Sequence, residues 1–236
     1  GRNEATGRGV MYTTKNILNK MGIPAEGTTV AIQGMGNVGS ITAKLLYREG
    51  MKIIAVSDVS GGIYNPDGLN VPAILDYLSL NRKNLLKDYN EEGMSRITNE
   101  ELLEMDARVL VPAALENQIN ASNAHKIRAE VIVEAANGPV AADADGILQD
   151  RGITVVPDIL ANAGGVVVSY FEWVQNIQSV SWTEEEVNEK LKNIMDPAFE
   201  AVWDIAMKQN ATLRTGAYLI AVRRVVEAKA ARAIWP

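Results

Sequence analysis

Three glycines at fixed spacing carry the clearest chemical signal in the chain. Gly34, Gly36 and Gly39 form a G-x-G-x-x-G pattern between a β-branched run, Thr28–Ile32, and an amphipathic run, Val38–Glu49. In this context the first glycine permits a tight turn, the second lets the backbone approach a pyrophosphate, and the third permits close packing of the helix. The pattern predicts a dinucleotide-binding loop. A glycine turn without a ligand is the alternative.

Asp58 follows the second predicted strand, Met51–Val56, and lies 19 residues beyond Gly39. An acidic residue at this place accepts hydrogen bonds from the adenosine ribose hydroxyls in dinucleotide-binding folds. Its charge would repel the 2′-phosphate of NADP, and residues 59–62 contain no Lys or Arg that could neutralise that phosphate. Asp58 therefore favours NAD over NADP. In the alternative interpretation, Asp58 only caps the following loop.

Small residues and amides follow three more predicted strands, which are Arg108–Val111, Val131–Val133 and Thr154–Pro157. Ligands of open α/β sheets bind at the carboxyl ends of the strands. Small side chains let a flat ring come close, and an Asn amide can both donate to and accept from a nicotinamide carboxamide. Each Asn taken singly is more often a turn or cap residue. Together the candidates for this site are Ala113, Ala136, Asn137 and Asn162.

Strands that alternate with helices predict an α/β fold, a Rossmann-type doubly wound, mostly parallel sheet with a C-terminal helical extension. Helices are predicted over Ala5–Lys20 and Val71–Leu80, with a turn at Tyr64–Gly68 between the second strand and the later helix. Capping-box spacing begins further helices at Thr98 and Thr183. We divide the chain into a dinucleotide-binding domain, 1–182, and a helical segment, 183–236, which packs on it and faces a further domain.

Bulk composition excludes several classes of function. The 236 residues carry a formal net charge of −6, so nucleic acid is not an expected partner, and no membrane span is expected because the apolar stretch Ile159–Phe171 is too short. The absence of cysteine rules out thiolate chemistry and is typical of a cytoplasmic protein.

The single histidine, His125, lacks a neighbouring ligand and is predicted to be a surface residue, so no metal site is expected. The start, Gly1–Glu4, resembles neither a signal peptide nor an initiating methionine, which suggests a chain that begins inside a longer protein.

Five motifs, in order along nearly the whole chain, resemble the glutamate dehydrogenase family, whose relatives act on leucine, phenylalanine and valine. They are Gly1–Gly9, Gln33–Gly39, Ser57-Asp58 with Gly61–Gly68, Ala135–Pro139 and Asn162–Trp173. The resemblance covers only the C-terminal, nucleotide-binding domain of that family.

The resemblance implies a role for individual residues. Arg2 and Thr6 would lie at the nicotinamide end, where Thr6 and Asn162 bond the carboxamide. Asn37 and Val38 would hold the pyrophosphate through their amides, and Asn137 would bind near the nicotinamide ribose. Val166 and Ser169 would face the amino-acid substrate, with the Ser169 hydroxyl reaching its side-chain carboxylate. For Ser169 the alternative is a hydrogen bond back to a carbonyl of its own helix.

The family oxidatively deaminates L-glutamate to 2-oxoglutarate and ammonia, with NAD or, less expected here, NADP. Its catalytic Lys and Asp belong to an N-terminal domain that no part of this sequence matches. We therefore assign no catalytic residue and expect the chain alone to be inactive. Full-length members usually form homohexamers, whereas the oligomeric state of this chain stays open.

Two alternatives remain. A leucine, valine or phenylalanine dehydrogenase would place an apolar residue where Ser169 stands, so Ser169 favours glutamate. A non-catalytic NAD-binding module is the second alternative, because the catalytic residues are not in this sequence.

Overall fold

A computed structural model describes residues 1–232, and residues 233–236, the end of the predicted helical segment 183–236, lie outside the described residues. Seven strands form one sheet in the order β4-β3-β2-β1-β5-β6-β7. The strands are β1 (Thr29–Gln33), β2 (Lys52–Asp58), β3 (Gly61–Tyr64), β4 (Ser95–Ile97), β5 (Val109–Pro112), β6 (Val131–Val133) and β7 (Thr154–Val156).

Strands β2, β1, β5, β6 and β7 are parallel, and at one edge β3 pairs antiparallel with both β2 and β4. The central strands consist largely of buried Val, Ile and Ala because helices cover both of their faces. The chain leaves β1 toward β2 on one side and later returns to β5 on the other side of β1. A crevice at the carboxyl ends of β1 and β5 follows from this reversal of strand order.

Nine α-helices connect and cover the strands of the described chain. They are α1 (Ala5–Lys20), α2 (Asn37–Arg48), α3 (Val71–Leu80), α4 (Asn99–Leu103), α5 (Ala142–Asp150), α6 (Asp158–Ala161), α7 (Gly164–Gln178), α8 (Glu184–Lys208) and α9 (Leu213–Arg232). Thr98 and Thr183 begin α4 and α8 with complete capping boxes, as the sequence predicts. Among the described residues, no helix has the length and apolar character that crossing a bilayer requires.

Two apolar layers hold the sheet between the helices. The larger layer joins Val30 and Ile32 of β1 to Ile17 of α1, Leu46 of α2 and Phe199 of α8. The smaller layer lies on the opposite face, where Ala31 packs with residues of α4 and α5. Neighbouring residues of β1 therefore enter different cores, as the two-residue period of a strand requires.

The C-terminal helices are packed on the sheet domain by polar and apolar contacts. Tyr12 Oη donates to the Asn188 carbonyl, and Asn16 Nδ2 donates to Asp196 Oδ1 at 2.9 Å. Phe199 is fully buried in the larger core layer. Helix α8 therefore completes the cover of the sheet.

Most predicted elements occur within one or two residues of their expected bounds. The edge strands β3 and β4 were not predicted from the sequence, because β3 begins with two glycines and β4 is only three residues long. The predicted turn after β3 is present. Asn65 Oδ1 accepts from the Asp67 amide, and Gly68 has a φ of +99°.

Candidate functional site

The glycine loop joins β1 to the N-terminus of α2 at the carboxyl edge of the sheet. Gly36 precedes the first turn of α2, and no side chain caps that helix end. The first amides of a helix have no partner within the helix and carry a partial positive charge, so they bind anions. Space is also available, because a Cβ atom added to Gly36 would meet no heavy atom within 4 Å.

A first cleft of about 670 Å³ lies beside the loop, and we call it the Asp58 cleft. Its walls come from the ends of β1, β2 and β5 and from the segment after α3. Its lining includes Gln33, Gly34, Gly36, Asp58, Arg82, Ala113 and Ala114.

Asp58 is half-buried at the end of β2 and already holds two segments of backbone. Its Oδ1 accepts from the Ser60 amide at 2.7 Å and from Ser60 Oγ, while Oδ2 accepts from the Leu86 amide at 2.8 Å. The loop-capping alternative for Asp58 is thus present in the structure, and the same carboxylate lines the cleft. A carboxylate has about four lone-pair sites, so one remains for a ribose hydroxyl.

A second cleft of about 550 Å³ lies on the other side of the loop, and we call it the Asn162 cleft. It shares Ala113 and Ala114 with the Asp58 cleft, so the two clefts meet at the end of β5. Nine residues predicted from the sequence line it, namely Arg2, Thr6, Val38, Ala113, Ala136, Asn137, Asn162, Val166 and Ser169.

The amides of the Asn162 cleft are held in fixed positions. Asn162 Nδ2 donates to Asn137 Oδ1 at 2.7 Å, which ties the end of α6 to the loop after β6. Thr6 packs against α7 so closely that a Cβ atom on Gly165 would lie 2.4 Å from its Oγ1. Ser169 Oγ donates to the Gly165 carbonyl at 3.0 Å, the bond back to its own helix that was the alternative to substrate binding.

Arg2 is the one ionisable side chain among the residues that line the Asn162 cleft in the described chain. Its Nε lies 3.2 Å from Glu172 Oε2, and both side chains are about half exposed. Such an exposed pair contributes little to stability. Arg2 can therefore move to an anionic ligand at little cost.

A buried carboxylate supports the loop between β6 and α5. Glu134 is fully buried, and its two oxygens accept from the Val140 amide at 3.2 Å and the Asp158 amide at 2.8 Å. Burial raises the pKa of Glu134 above its ordinary value, while the hydrogen bond from Arg214 acts in the opposite direction. The loop that carries Asn137 therefore rests on a buried carboxyl group that is hydrogen-bonded on both oxygens.

The structure brings the predicted residues to one edge of the sheet, with two differences of detail. Asn37 is exposed at the start of α2 and lines neither cleft, and Gly39 is buried beneath the loop. His125 is exposed, as predicted. Within residues 1–232 no three His, Asp or Glu side chains converge as metal ligands.

Sequence reasoning missed several residues of the Asp58 cleft, above all Arg82. Residues 59–62, which directly follow Asp58, contain no cation, whereas the structure places Arg82, 24 residues beyond Asp58, in the lining of the same cleft. Gln33 was also missed. Its Nε2 donates to Gln118 Oε1 at 2.7 Å, while its own buried Oε1 has no partner. No local pattern in the sequence marks Arg82, and the motif Gln33–Gly39 does not indicate that the Gln33 side chain lines a cleft.

Known proteins resemble this chain over its whole length. The family model for glutamate/leucine/phenylalanine/valine dehydrogenases matches residues 1–233. A catabolic NAD-specific glutamate dehydrogenase of Bacillus subtilis is 48% identical over 97% of this chain and 53% of its own length. An NADP-specific glutamate dehydrogenase of Halobacterium salinarum is 49% identical over 100% of this chain and 56% of its own.

A solved structure gives the same result for the fold. The hetero-hexameric glutamate dehydrogenase of Thermus thermophilus superimposes with a TM-score of 0.90 and 33% identity, over 100% of this chain and 55% of that one. The chain thus spans about half the length of the relatives that it matches. It belongs to the glutamate/leucine/phenylalanine/valine dehydrogenase family.

Proposed function

We propose that this chain is the NAD-binding half of a glutamate dehydrogenase, an enzyme that oxidatively deaminates L-glutamate to 2-oxoglutarate and ammonia. One observation carries the proposal. Two clefts meet at Ala113 and Ala114, on either side of a helix N-terminus that lacks a side-chain cap, with open space at Gly36. A dinucleotide has the matching shape, with two nucleosides joined by a pyrophosphate.

In this proposal the adenosine occupies the Asp58 cleft and the pyrophosphate lies over the amides of Asn37 and Val38. The nicotinamide occupies the Asn162 cleft, where the Asn162 amide and the Thr6 hydroxyl bond its carboxamide and Asn137 lies near its ribose. NAD, when bound, supplies the hydride acceptor. The chain's own residues bind and orient it, and the small side chains of Ala113 and Ala136 leave room for its ring.

We propose NAD rather than NADP as the preferred cofactor. The half-buried Asp58 carboxylate would lie against a 2′-phosphate, and this repulsion disfavours NADP. Arg82 acts in the opposite direction, because it lines the same cleft and could offset part of that repulsion. The relatives include both NAD-specific and NADP-specific enzymes. In this proposal the balance between Asp58 and Arg82 sets the preference of this chain.

Glutamate is the proposed substrate because Ser169 lines the Asn162 cleft beside Val166, which is 70% exposed, and the Ser169 hydroxyl would turn from the Gly165 carbonyl to donate to the side-chain carboxylate of the substrate. A leucine, phenylalanine or valine dehydrogenase would gain nothing from a polar group at this position. The relatives named above are glutamate dehydrogenases. Substrate binding and proton transfer would then come from a second domain, matching the half of those relatives that this chain does not cover.

Exposed apolar side chains indicate a surface against which that second domain would pack. Tyr170 and Trp173 of α7 are 57% and 58% exposed next to the Asn162 cleft, and Tyr218 and Val222 of α9 are 60% and 59% exposed. We propose that the helical segment 183–236 packs on the sheet and faces the second domain, and that the complete protein is a cytoplasmic hexamer.

Fluorescence titration of the chain with NADH and with NADPH tests the cofactor assignment. We expect saturable binding of NADH and weaker binding of NADPH. No binding of NADH would refute the proposed function, whereas equal or tighter binding of NADPH would refute only the preference for NAD.

A further inference from the structure

Arg214, the second residue of α9, connects the C-terminal helices to the loops of the Asn162 cleft without lining that cleft. Its guanidinium faces three carboxylates. One terminal nitrogen donates to Glu134 Oε1 at 2.8 Å, Nε lies 3.1 Å from Asp145 Oδ2, and the other terminal nitrogen lies 3.8 Å from Asp158 Oδ1. The Arg214 side chain is only 19% exposed.

Glu134 and Asp158 in turn hold the backbone of the cleft. Glu134 accepts from the amides of Val140 and Asp158, and Asp158 Oδ2 accepts from the Gly138 amide at 2.8 Å. The loop that carries Ala136 and Asn137 is therefore fixed at its end by two carboxylates. Asp158 also begins α6, which leads directly to Asn162.

Charge explains why the arrangement needs Arg214. Without it, three carboxylates would face one another, and Glu134 would remain fully buried with two amide donors and no cation. A buried carboxylate without its cationic partner takes up a proton or draws in water. Either response weakens its hydrogen bonds to Val140 and Asp158, and those bonds set the position of the loop.

We infer that Arg214 is a positioning residue for the nicotinamide half of the cofactor, acting through Glu134 and Asp158 on Asn137 and Asn162. This inference rests on the proposed NAD site. It also implies that the position of α9 and the shape of the Asn162 cleft depend on each other. The Asp58 cleft should be independent of Arg214, because its walls come from β1, β2, β5 and the segment after α3.

The test compares two ligands on the same variant. For Arg214→Met we expect NADH to bind about tenfold more weakly, the effect typical of breaking one member of a connected hydrogen-bond network. Calorimetric titration with ADP, which lacks the nicotinamide half, should give an unchanged affinity. The amides of Gly138 and Val140 should exchange their hydrogens faster than in the unsubstituted chain.

Two further variants complete the design. Arg214→Lys keeps a cation but lacks the planar fork that directs separate N–H groups toward Glu134 and Asp145, so it should retain the fold and restore part of the NADH affinity. Lys20→Met is the matched control, because Lys20 pairs with Glu200 of α8 at 2.5 Å and has no contact with either cleft. It should change neither affinity.

The possible outcomes are distinct. Equal weakening of NADH and ADP in Arg214→Met would show a general structural role and overturn the inference, as would an unchanged affinity for NADH. If Arg214→Met does not fold, the same comparison of ligands is decisive in Arg214→Lys. Failure of the unsubstituted chain to bind NADH would overturn the proposed function and, with it, this inference.

Discussion

A Cβ atom added to Gly39 would lie 1.7 Å from the carbonyl oxygen of Gly34. Gly34 itself has a φ of +93°, a conformation that other residues rarely adopt. The first and third glycines of the loop are thus required by the fold. Gly36 differs from both, because its φ is −72° and a Cβ there would meet open space. The fold leaves room for a side chain at position 36, which is where the proposed pyrophosphate would approach the backbone.

Two substitutions separate these roles. Gly36→Val should leave the fold intact and weaken NADH binding by at least about tenfold, because its side chain would enter the space of the pyrophosphate. Gly39→Ala should instead destabilise the protein by about 1–3 kcal/mol or more, since the helix must move away from Gly34. Thermal unfolding and NADH titration of both variants measure the two effects. Unchanged NADH affinity in a folded Gly36→Val protein would show that the loop does not bind a pyrophosphate.

The central sheet could be predicted because its signal is local. Buried parallel strands are short runs of β-branched residues, such as Val131–Val133, and the glycine loop marks where one of them ends. The edge strand Gly61–Tyr64 lacks that signal, since its first two residues are glycines and its position depends on pairing with β2.

The charged residues that support the site could not be predicted, because their contacts join parts of the chain that are far apart in sequence. Arg214 and Glu134 lie 80 residues apart, and nothing near either residue indicates the other. Arg82 reaches the Asp58 cleft only because the segment after α3 folds back over the end of β2. The glycines and asparagines of the site can be predicted from local sequence patterns. The charged side chains around them, such as Arg82 and Arg214, are brought there by the tertiary fold.

Cofactor preference should shift when the carboxylate of residue 58 loses its charge. Asp58→Asn keeps an oxygen for the Ser60 amide but weakens the ribose contact, and a charge-assisted hydrogen bond is worth about 1.5–3 kcal/mol. We expect NADH affinity to fall about tenfold to a hundredfold. NADPH affinity should rise because the repulsion of its 2′-phosphate is removed. Parallel titrations with both cofactors, and a melting curve to check the loop, measure the change.

Arg82→Gln in the Asp58→Asn background tests the opposing charge. If Arg82 contacts the 2′-phosphate, the gain in NADPH affinity should disappear while NADH affinity stays the same. A gain that persists without Arg82 would assign the discrimination to Asp58 alone.

Acid stability should depend on Glu4, which joins α1 to α2. Glu4 accepts from Lys44 Nζ and from an Arg8 terminal nitrogen, each at 2.6 Å. The hydrogen bond from Lys44 is the main cause that lowers the pKa of Glu4 below its ordinary value of 4.5, with Arg8 adding to it against the effect of burial. A lowered pKa in the folded state gives stability that is present above pH 4.5 and is lost as the pH falls through the folded pKa.

Glu4→Gln should therefore be less stable than the unsubstituted chain at neutral pH, by about 1–2 kcal/mol. The difference should shrink below pH 4.5, where the unsubstituted chain also loses the charge. Urea unfolding at a series of pH values measures it. Glu200→Gln, which removes a more exposed pair with Lys20, is the control and should cost less stability at neutral pH than Glu4→Gln. A constant difference at all pH values would contradict the role of the Glu4 charge.

Binding and turnover should separate in the chain of residues 1–236. The Asn162 cleft holds the proposed nicotinamide contacts, but its described lining contains no His, Lys, Asp, Glu or Tyr, the side chains that usually serve as general acids and bases. General acid–base catalysis contributes about 10²- to 10⁴-fold to a rate, and positioning of the substrate contributes several powers of ten more. The residues that line this cleft would supply no general acid or base, and of the substrate contacts they would supply only those of Val166 and Ser169. We therefore expect saturable NADH binding and no glutamate-dependent formation of NADH, even at high protein concentration.

The assay follows the absorbance of NADH with glutamate and NAD present, beside a fluorescence titration of the same sample. Glutamate-dependent turnover would reveal an acid or base in this chain that the structure does not place at the cleft.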